Sequence, residues 1–133
     1  MNLVAWWQQA ALVAFGGALG SFGRFAIGTW MARLAGTGFP WGTLTVNLAG
    51  SFLAGLALVW LDGRGDMAAW WRAFVMVGVI GGFTTWSALM VEVLMLGRGT
   101  TPAWAGTYVL VSLIGGLLLV WAGWRLGMAL RVL

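Results

Sequence analysis

The chain has no cysteine and no histidine among its 133 residues, and only three acidic side chains. Without thiols it holds no disulfide, no thiolate nucleophile and no Cys-ligated metal. Without imidazole it lacks the usual general base near neutral pH and the commonest transition-metal ligand. Three carboxylates leave little scope for paired-carboxylate chemistry. No nucleophile–base pair is in sight, so the chain is expected not to be an enzyme. All seven basic residues are arginine, and the net charge is +4. They are scattered singly, without the basic patch that grips phosphates, so no nucleic-acid partner is expected.

Charge of either sign is scarce altogether. Charged residues make up 8% of the chain and hydrophobic ones 62%, whereas a soluble domain carries roughly a quarter of its residues as charges. What is abundant is glycine, at 22 residues, and tryptophan, at 11. Glycine is frequent in membrane helices, and tryptophan collects at membrane–water interfaces. Trp6, Trp7, Trp41, Trp60, Trp70, Trp71, Trp104, Trp121 and Trp124 all fall near expected helix ends. The class that follows is an all-α integral membrane protein.

A bilayer-spanning helix needs about 20 apolar residues. Four segments qualify, at residues 9–34, 41–61, 70–96 and 103–124, forming a single four-helix transmembrane domain over 1–133. Residues 1–9 lack a basic n-region, so the first segment is read as a retained helix and not a signal peptide. With both termini on one side, that side holds Arg64, Arg72, Arg125 and Arg131, and the other holds Arg33 and Arg98. This is a weak positive-inside bias. Such a chain is able to insert in either orientation, which admits an antiparallel homodimer without requiring one. Four helices also leave little room for a pore inside one subunit. Small residues recur one turn apart: Gly16 with Gly20, Gly17 with Ser21, Ser51 with Gly55, Ser112 with Gly116, Gly123 with Gly127. These let helices approach closely, within a subunit or between subunits.

The third segment is longer than the hydrocarbon core requires. Its middle reads Gly78-Val79-Ile80-Gly81-Gly82-Phe83-Thr84-Thr85, a poor helix sequence that favours a break there over a simple kink. Backbone freed at membrane depth is tolerated where it is buried in protein or lines a polar cavity.

Polar residues also occur where lipid should forbid them. Thr43, Asn47 and Ser51 share one face of the second segment, and Tyr108, Ser112 and Gly116 share one face of the fourth. Thr84, Thr85, Ser87 and Glu92 follow the glycines of the third, and Arg24 sits inside the first. Apart from Glu92 and Arg24 these are neutral groups able to donate hydrogen bonds, a lining better suited to a small anion than to a cation. The competing reading is local: each Ser or Thr bonds the backbone one turn back. Arg24 has two readings, pore entrance or purely structural snorkelling. Glu92 has three: a pair with Arg24, a contact to another subunit, or a place near the far membrane surface.

Three ordered runs then resemble the Fluc (CrcB) fluoride-channel family. They are Gly16-Gly17-Ala18-Leu19-Gly20-Ser21-Phe22-Gly23-Arg24, Gly42-Thr43-Leu44-Thr45-Val46-Asn47-Leu48-Ala49-Gly50-Ser51-Phe52, and Gly81-Gly82-Phe83-Thr84-Thr85-Trp86-Ser87. The fourth segment fits as well, with Tyr108, Ser112 and Gly115-Gly116. The resemblance implies a broken third helix, an antiparallel dual-topology homodimer in the bacterial inner membrane, and two fluoride pathways built from both subunits. It implies export of fluoride that entered as hydrogen fluoride and dissociated inside. It also implies a structural Na+ at the dimer centre, held by backbone carbonyls at the positions of Gly81 and Thr84. Membrane lipid and a second copy of the chain would be the other partners.

By the same resemblance, Asn47 is the pore asparagine, Thr43 and Ser112 are track hydroxyls, and Tyr108 is the track tyrosine. Thr85 and Glu92 belong to the same pathway, and Arg24 stands near the vestibule. The family pattern places two Phe after the threonines, whose electropositive ring edges face the anion. Here those positions hold Trp86 and Leu89. Trp86 keeps an aromatic edge and adds an indole N–H; Leu89 offers no quadrupole, so the second aromatic contact is expected to be missing. Two rival readings stand beside this one. An organic-cation antiporter of similar size would need a carboxylate in the first helix, where this chain has Arg24. A purely structural subunit would use Asn47 and the glycines only for packing.

Overall fold

The computed structural model describes residues 3–99 and 102–131, and all regular structure among them is helical. Helix α1 (Leu3–Ala35) ends where Gly36 takes a left-handed conformation, φ 77°. Its N–H donates to the Ala32 carbonyl at 3.1 Å, a turn that a Cβ would disfavour. Helix α2 (Trp41–Asp62) starts directly after Pro40, whose carbonyl accepts the Leu44 N–H at 3.1 Å. A turn through Gly63 and Gly65 leads into α3, which spans 68–83.

Helix α3 is irregular. Ala68–Trp71 is an ordinary α-turn, Arg72–Ile80 is wound as a wider π-helix, and Gly81–Phe83 returns to α geometry. The Gly81 N–H reaching the Met76 carbonyl marks the five-residue step. Thr84 and Thr85 are extended, at φ −88°, ψ 160° and φ −152°, ψ 119°. Helix α4 (Trp86–Gly97) follows, capped by the Thr85 side chain, which accepts the Ala88 N–H at 3.3 Å. Helix α5 (Ala103–Arg131) begins after Pro102.

Four stretches are long and apolar enough to cross a bilayer: Trp6–Ala35, Trp41–Asp62, Gly65–Gly97 and Ala103–Arg131. The chain is therefore an all-α, multi-pass membrane protein. Helix α5 runs past Trp124, the expected end of the fourth segment, and neither Arg125 nor Gly127 stops it before Arg131.

Lipid is as apolar as the side chains, so close packing and not burial from water joins these helices. Glycines supply it. A Cβ on Gly55 would strike the Val120 carbonyl and lie 2.7 Å from the Trp124 nitrogen, and one on Gly123 would strike the Phe52 carbonyl. These two contacts press α2 against α5. A Cβ on Gly16 would lie 2.6 Å from the Phe74 carbonyl, and Gly20 faces Val79 and Phe83 in the same way, pressing α1 against α3. These small residues thus serve contacts within the subunit. The outer surface is apolar, with Phe22, Phe25 and Leu117 each more than 70% exposed.

Aromatic clusters mark both ends. At one, Phe39 packs on Trp41, Trp104 and Tyr108 with ring centroids 4.7, 6.0 and 5.2 Å away. At the other, Trp60 and Trp71 meet edge to face, and the Arg64 guanidinium sits 3.8 Å over the Trp60 ring. An aromatic platform with an arginine is a membrane-interface anchor.

Candidate functional site

The polar side chains of α2, α4 and α5 come together at two levels inside the bundle. At the first, Glu92 on α4 is the acceptor. Thr43 on α2 donates its hydroxyl to Oε1 at 2.6 Å, and Tyr108 on α5 donates to Oε2 at 2.7 Å. Tyr108 is wholly enclosed, at 0% exposure. A partly buried carboxylate is costly unless it is hydrogen-bonded, and here each oxygen has a donor. Glu92 therefore partners hydroxyls of neighbouring helices. A cleft of about 530 Å³ opens above it toward the 36–40 turn, with Thr37, Phe39, Thr43 and Glu92 in its lining. Arg24 is half-buried on α1 and is not among the cleft's lining residues.

At the second level Asn47 faces the extended pair between α3 and α4. Its Oδ1 accepts the Thr85 N–H at 2.7 Å, and its Nδ2 donates to the Thr85 carbonyl at 3.0 Å. Ser51, one turn on, donates to the Asn47 carbonyl at 2.7 Å. Thr84 donates both its N–H and its hydroxyl to the Ile80 carbonyl, at 2.9 and 3.0 Å. Ser51 and Thr84 thus bond one turn back, as hydroxyls in membrane helices do; Thr43 does not. Ser112 Oγ is buried and has no hydrogen-bond partner.

Trp86 opens α4 with 63% of its surface exposed, whereas Leu89 is 3% exposed and packs with Leu44 and Tyr108. Leu89 thus stands in the apolar wall behind the polar residues. Phe39, in the short connection between α1 and α2, closes the same wall against Tyr108. Its only signal was a lone aromatic beside Pro40. The Asn47–Thr85 pairing was likewise not anticipated, although a deep asparagine and a threonine pair are the residues that make it.

Fold and site together define a multi-pass membrane protein with a column of neutral hydrogen-bonding groups around one carboxylate. Residues 11–124 match the family model described as "CrcB-like protein, Camphor Resistance (CrcB)", and the chain belongs to that family. It is 51% identical over 127 residues, 96% of both chains, to the "Fluoride-specific ion channel FluC" of Xylella fastidiosa strain M23. It is 50% identical over 123 residues to the protein of the same name from Thermus thermophilus, covering 92% of this chain and 96% of that one. With the namesake of Xanthomonas euvesicatoria pv. vesicatoria it shares 61% identity over 95 residues, 71% of each chain. Such a family is one of ion channels and not of enzymes, and in bacteria its place is the inner membrane.

Proposed function

We propose that the chain is a passive fluoride channel that exports cytoplasmic fluoride, working as an antiparallel dual-topology homodimer with two pores at the dimer interface. The single observation that carries this reading is the set of neutral polar groups at membrane depth, Thr43, Tyr108, Asn47, Thr85 and Ser112, in a chain whose relatives bear the name of a fluoride channel.

Fluoride is small and strongly hydrated, and hydrogen-bond donors or electropositive ring edges can stand in for its water. Neutral hydroxyls and an amide do so without binding the ion too tightly to release it. Ser112 supplies a hydroxyl that no protein group occupies. The Asn47 amide keeps one N–H beyond the one given to Thr85. Trp86, exposed at the start of α4, offers a ring edge and an indole N–H. Glu92 holds Thr43 and Tyr108 at the foot of the cleft, where the anion would enter or leave. Leu89 contributes apolar wall, and Arg24 adds positive charge at a vestibule. The antiporter reading loses ground here, because both Glu92 oxygens are engaged by hydroxyls.

Two features support a dimer. One is the thinness of the bundle. The other is an apolar groove of about 800 Å³ between α2, α3 and α5, running from Leu53 and Val79 to Arg64 and Arg131. The weak arginine asymmetry supports insertion both ways.

A structural Na+ at the dimer centre would be held by the Gly81 and Thr84 carbonyls of both subunits. Neutral carbonyl oxygens are hard-cation ligands, and the non-helical backbone at Thr84 suits such a site. When bound, the ion would add positive charge at the centre and tie the subunits together. The test is fluoride-electrode efflux from liposomes carrying the purified protein: fluoride release supports the reading, and tight vesicles refute it.

A further inference from the structure

We infer that Asn47 is a positioning residue: it holds the α3–α4 junction open and so keeps the Gly81 and Thr84 carbonyls out of the helical ladder. In a continuous helix the Thr85 N–H would donate to the Gly81 carbonyl, and the Ala88 N–H to the Thr84 carbonyl. Both donors are diverted. Thr85 gives its N–H to Asn47 Oδ1 at 2.7 Å, and Ala88 gives its N–H to Thr85 Oγ1 at 3.3 Å. The two carbonyls released are the two assigned above to the cation, so the inference rests on that reading for its ligand.

The geometry explains why an amide does this. Asn47 accepts from the N–H and donates to the C=O of one and the same residue. Those two groups point to the same side only when the residue is extended, as Thr85 is at φ −152°, ψ 119°. In the α conformation they point in opposite directions along the axis. A side-chain amide thus pairs with Thr85 as a neighbouring strand would, and selects the extended state. Two other bonds at the junction are local: Thr84 to Ile80, and Thr85 to Ala88. They would travel with the segment if it rewound. Two side chains reach the junction from other helices. Ser21 on α1 donates to the Gly82 carbonyl at 3.5 Å, which leaves the Gly81 and Thr84 carbonyls untouched. Asn47 alone of the two holds Thr85 itself, with Ser51 bonding its carbonyl from the next turn.

Asn47 therefore acts twice, offering one N–H to the column while its other two groups shape the backbone beside it. If it is removed, the partly buried Thr85 N–H is left without its acceptor. The acceptor that a continued helix would offer it is the Gly81 carbonyl, and that bond would close the helical rung and withdraw the oxygen from the cation.

The test compares wild type, Asn47→Leu (close in shape, with no polar atom) and Asn47→Asp, which keeps the oxygen that accepts from Thr85. Two quantities are read on purified protein. One is Na+ binding by 23Na NMR titration. The other is the 13C shift of labelled Gly81 and Thr84 carbonyls, a signature independent of transport. Asn47→Leu is expected to weaken Na+ binding by at least about tenfold, the cost of a lost buried hydrogen bond, and to move the Gly81 carbonyl to a helical shift. Asn47→Asp is expected to stay close to wild type in both. Wild-type Na+ affinity with an unmoved Gly81 shift in Asn47→Leu would overturn the inference, as would equal losses in both variants. If wild type binds no Na+, the cation reading falls by itself. The carbonyl shifts then decide: a helical Gly81 shift in Asn47→Leu upholds the clamp, and an unchanged one overturns it.

Discussion

Tyr108 on α5, without exposed surface, and Thr43 on α2, three helices earlier in the chain, donate to the two oxygens of a single carboxylate, Glu92. The arrangement joins α2, α4 and α5 by two short hydrogen bonds to one charged group. Such bonds are worth more than neutral ones, and orphaning a buried partner costs about 1–3 kcal/mol. Tyr108→Phe and Thr43→Val are therefore each expected to lower stability by about that amount and to slow fluoride flux. Because both act on Glu92, the double variant should depart from the sum of the single ones by more than about 0.5 kcal/mol. Thermal unfolding in detergent and electrode-recorded efflux would measure the two effects. Strict additivity would mean that Glu92 does not couple them.

Close approach of α2 and α5 depends on Gly123, where a Cβ would strike the Phe52 carbonyl and lie 3.1 Å from the Leu56 nitrogen. Backbone atoms cannot step aside as a flexible side chain does. Gly123→Ala is expected to cost about 1–3 kcal/mol as overpacking. Gly106→Ala, on the same helix with nothing near its would-be Cβ, should be neutral or slightly stabilising, since alanine favours helix over glycine. Paired melting curves would show the contrast, and equal effects would refute the packing account.

Position 89 combines two expectations. Leu89 is enclosed against Leu44 and Tyr108, so Leu89→Phe must push a ring into a filled wall and should destabilise by about 1–3 kcal/mol. The ring would also press on Tyr108, and through it on Glu92, so fluoride conduction should change as well. Unchanged stability and conduction would show that the position neither packs nor lines as described.

Dual insertion is testable because the chain has no native cysteine. Gly38→Cys places one thiol in the turn between α1 and α2, where nothing lies near the added Cβ. Labelling of right-side-out and inside-out vesicles with an impermeant maleimide should modify about half of the thiols in each, the outcome expected when charge bias is weak. Complete labelling from one side would establish a single orientation and dismiss the antiparallel dimer.

The four spans were legible in the sequence because bilayer thickness is a hard length constraint on apolar runs, and the turns carried Gly36, Pro40, Gly63 and Pro102. Helix ends were less so. Arg125 and Gly127 weakened the apolar signal without stopping α5. The π-wound stretch from Arg72 to Ile80 was not legible, since Gly78 and the glycines after it signal an irregular helix without saying which form it takes. Thr43, Asn47, Tyr108 and Glu92 stood out as polar groups at membrane depth, but their pairing did not. Asn47 and Thr85 lie 38 residues apart, and Thr43 and Glu92 lie 49 apart. No periodicity within one helix reports a register between two. Whether Gly16, Gly20, Gly55 and Gly123 served contacts within or between subunits was equally open, and only the packed helices place them inside one chain.

The most direct measurement is the anion released from liposomes that hold the purified protein and are loaded with equal fluoride and chloride. Rapid loss of fluoride with chloride retained, and loss of that flux in Asn47→Leu, is the expected result. No fluoride release from wild type, or release of both halides at similar rates, would contradict a column of neutral donors built for the smallest halide.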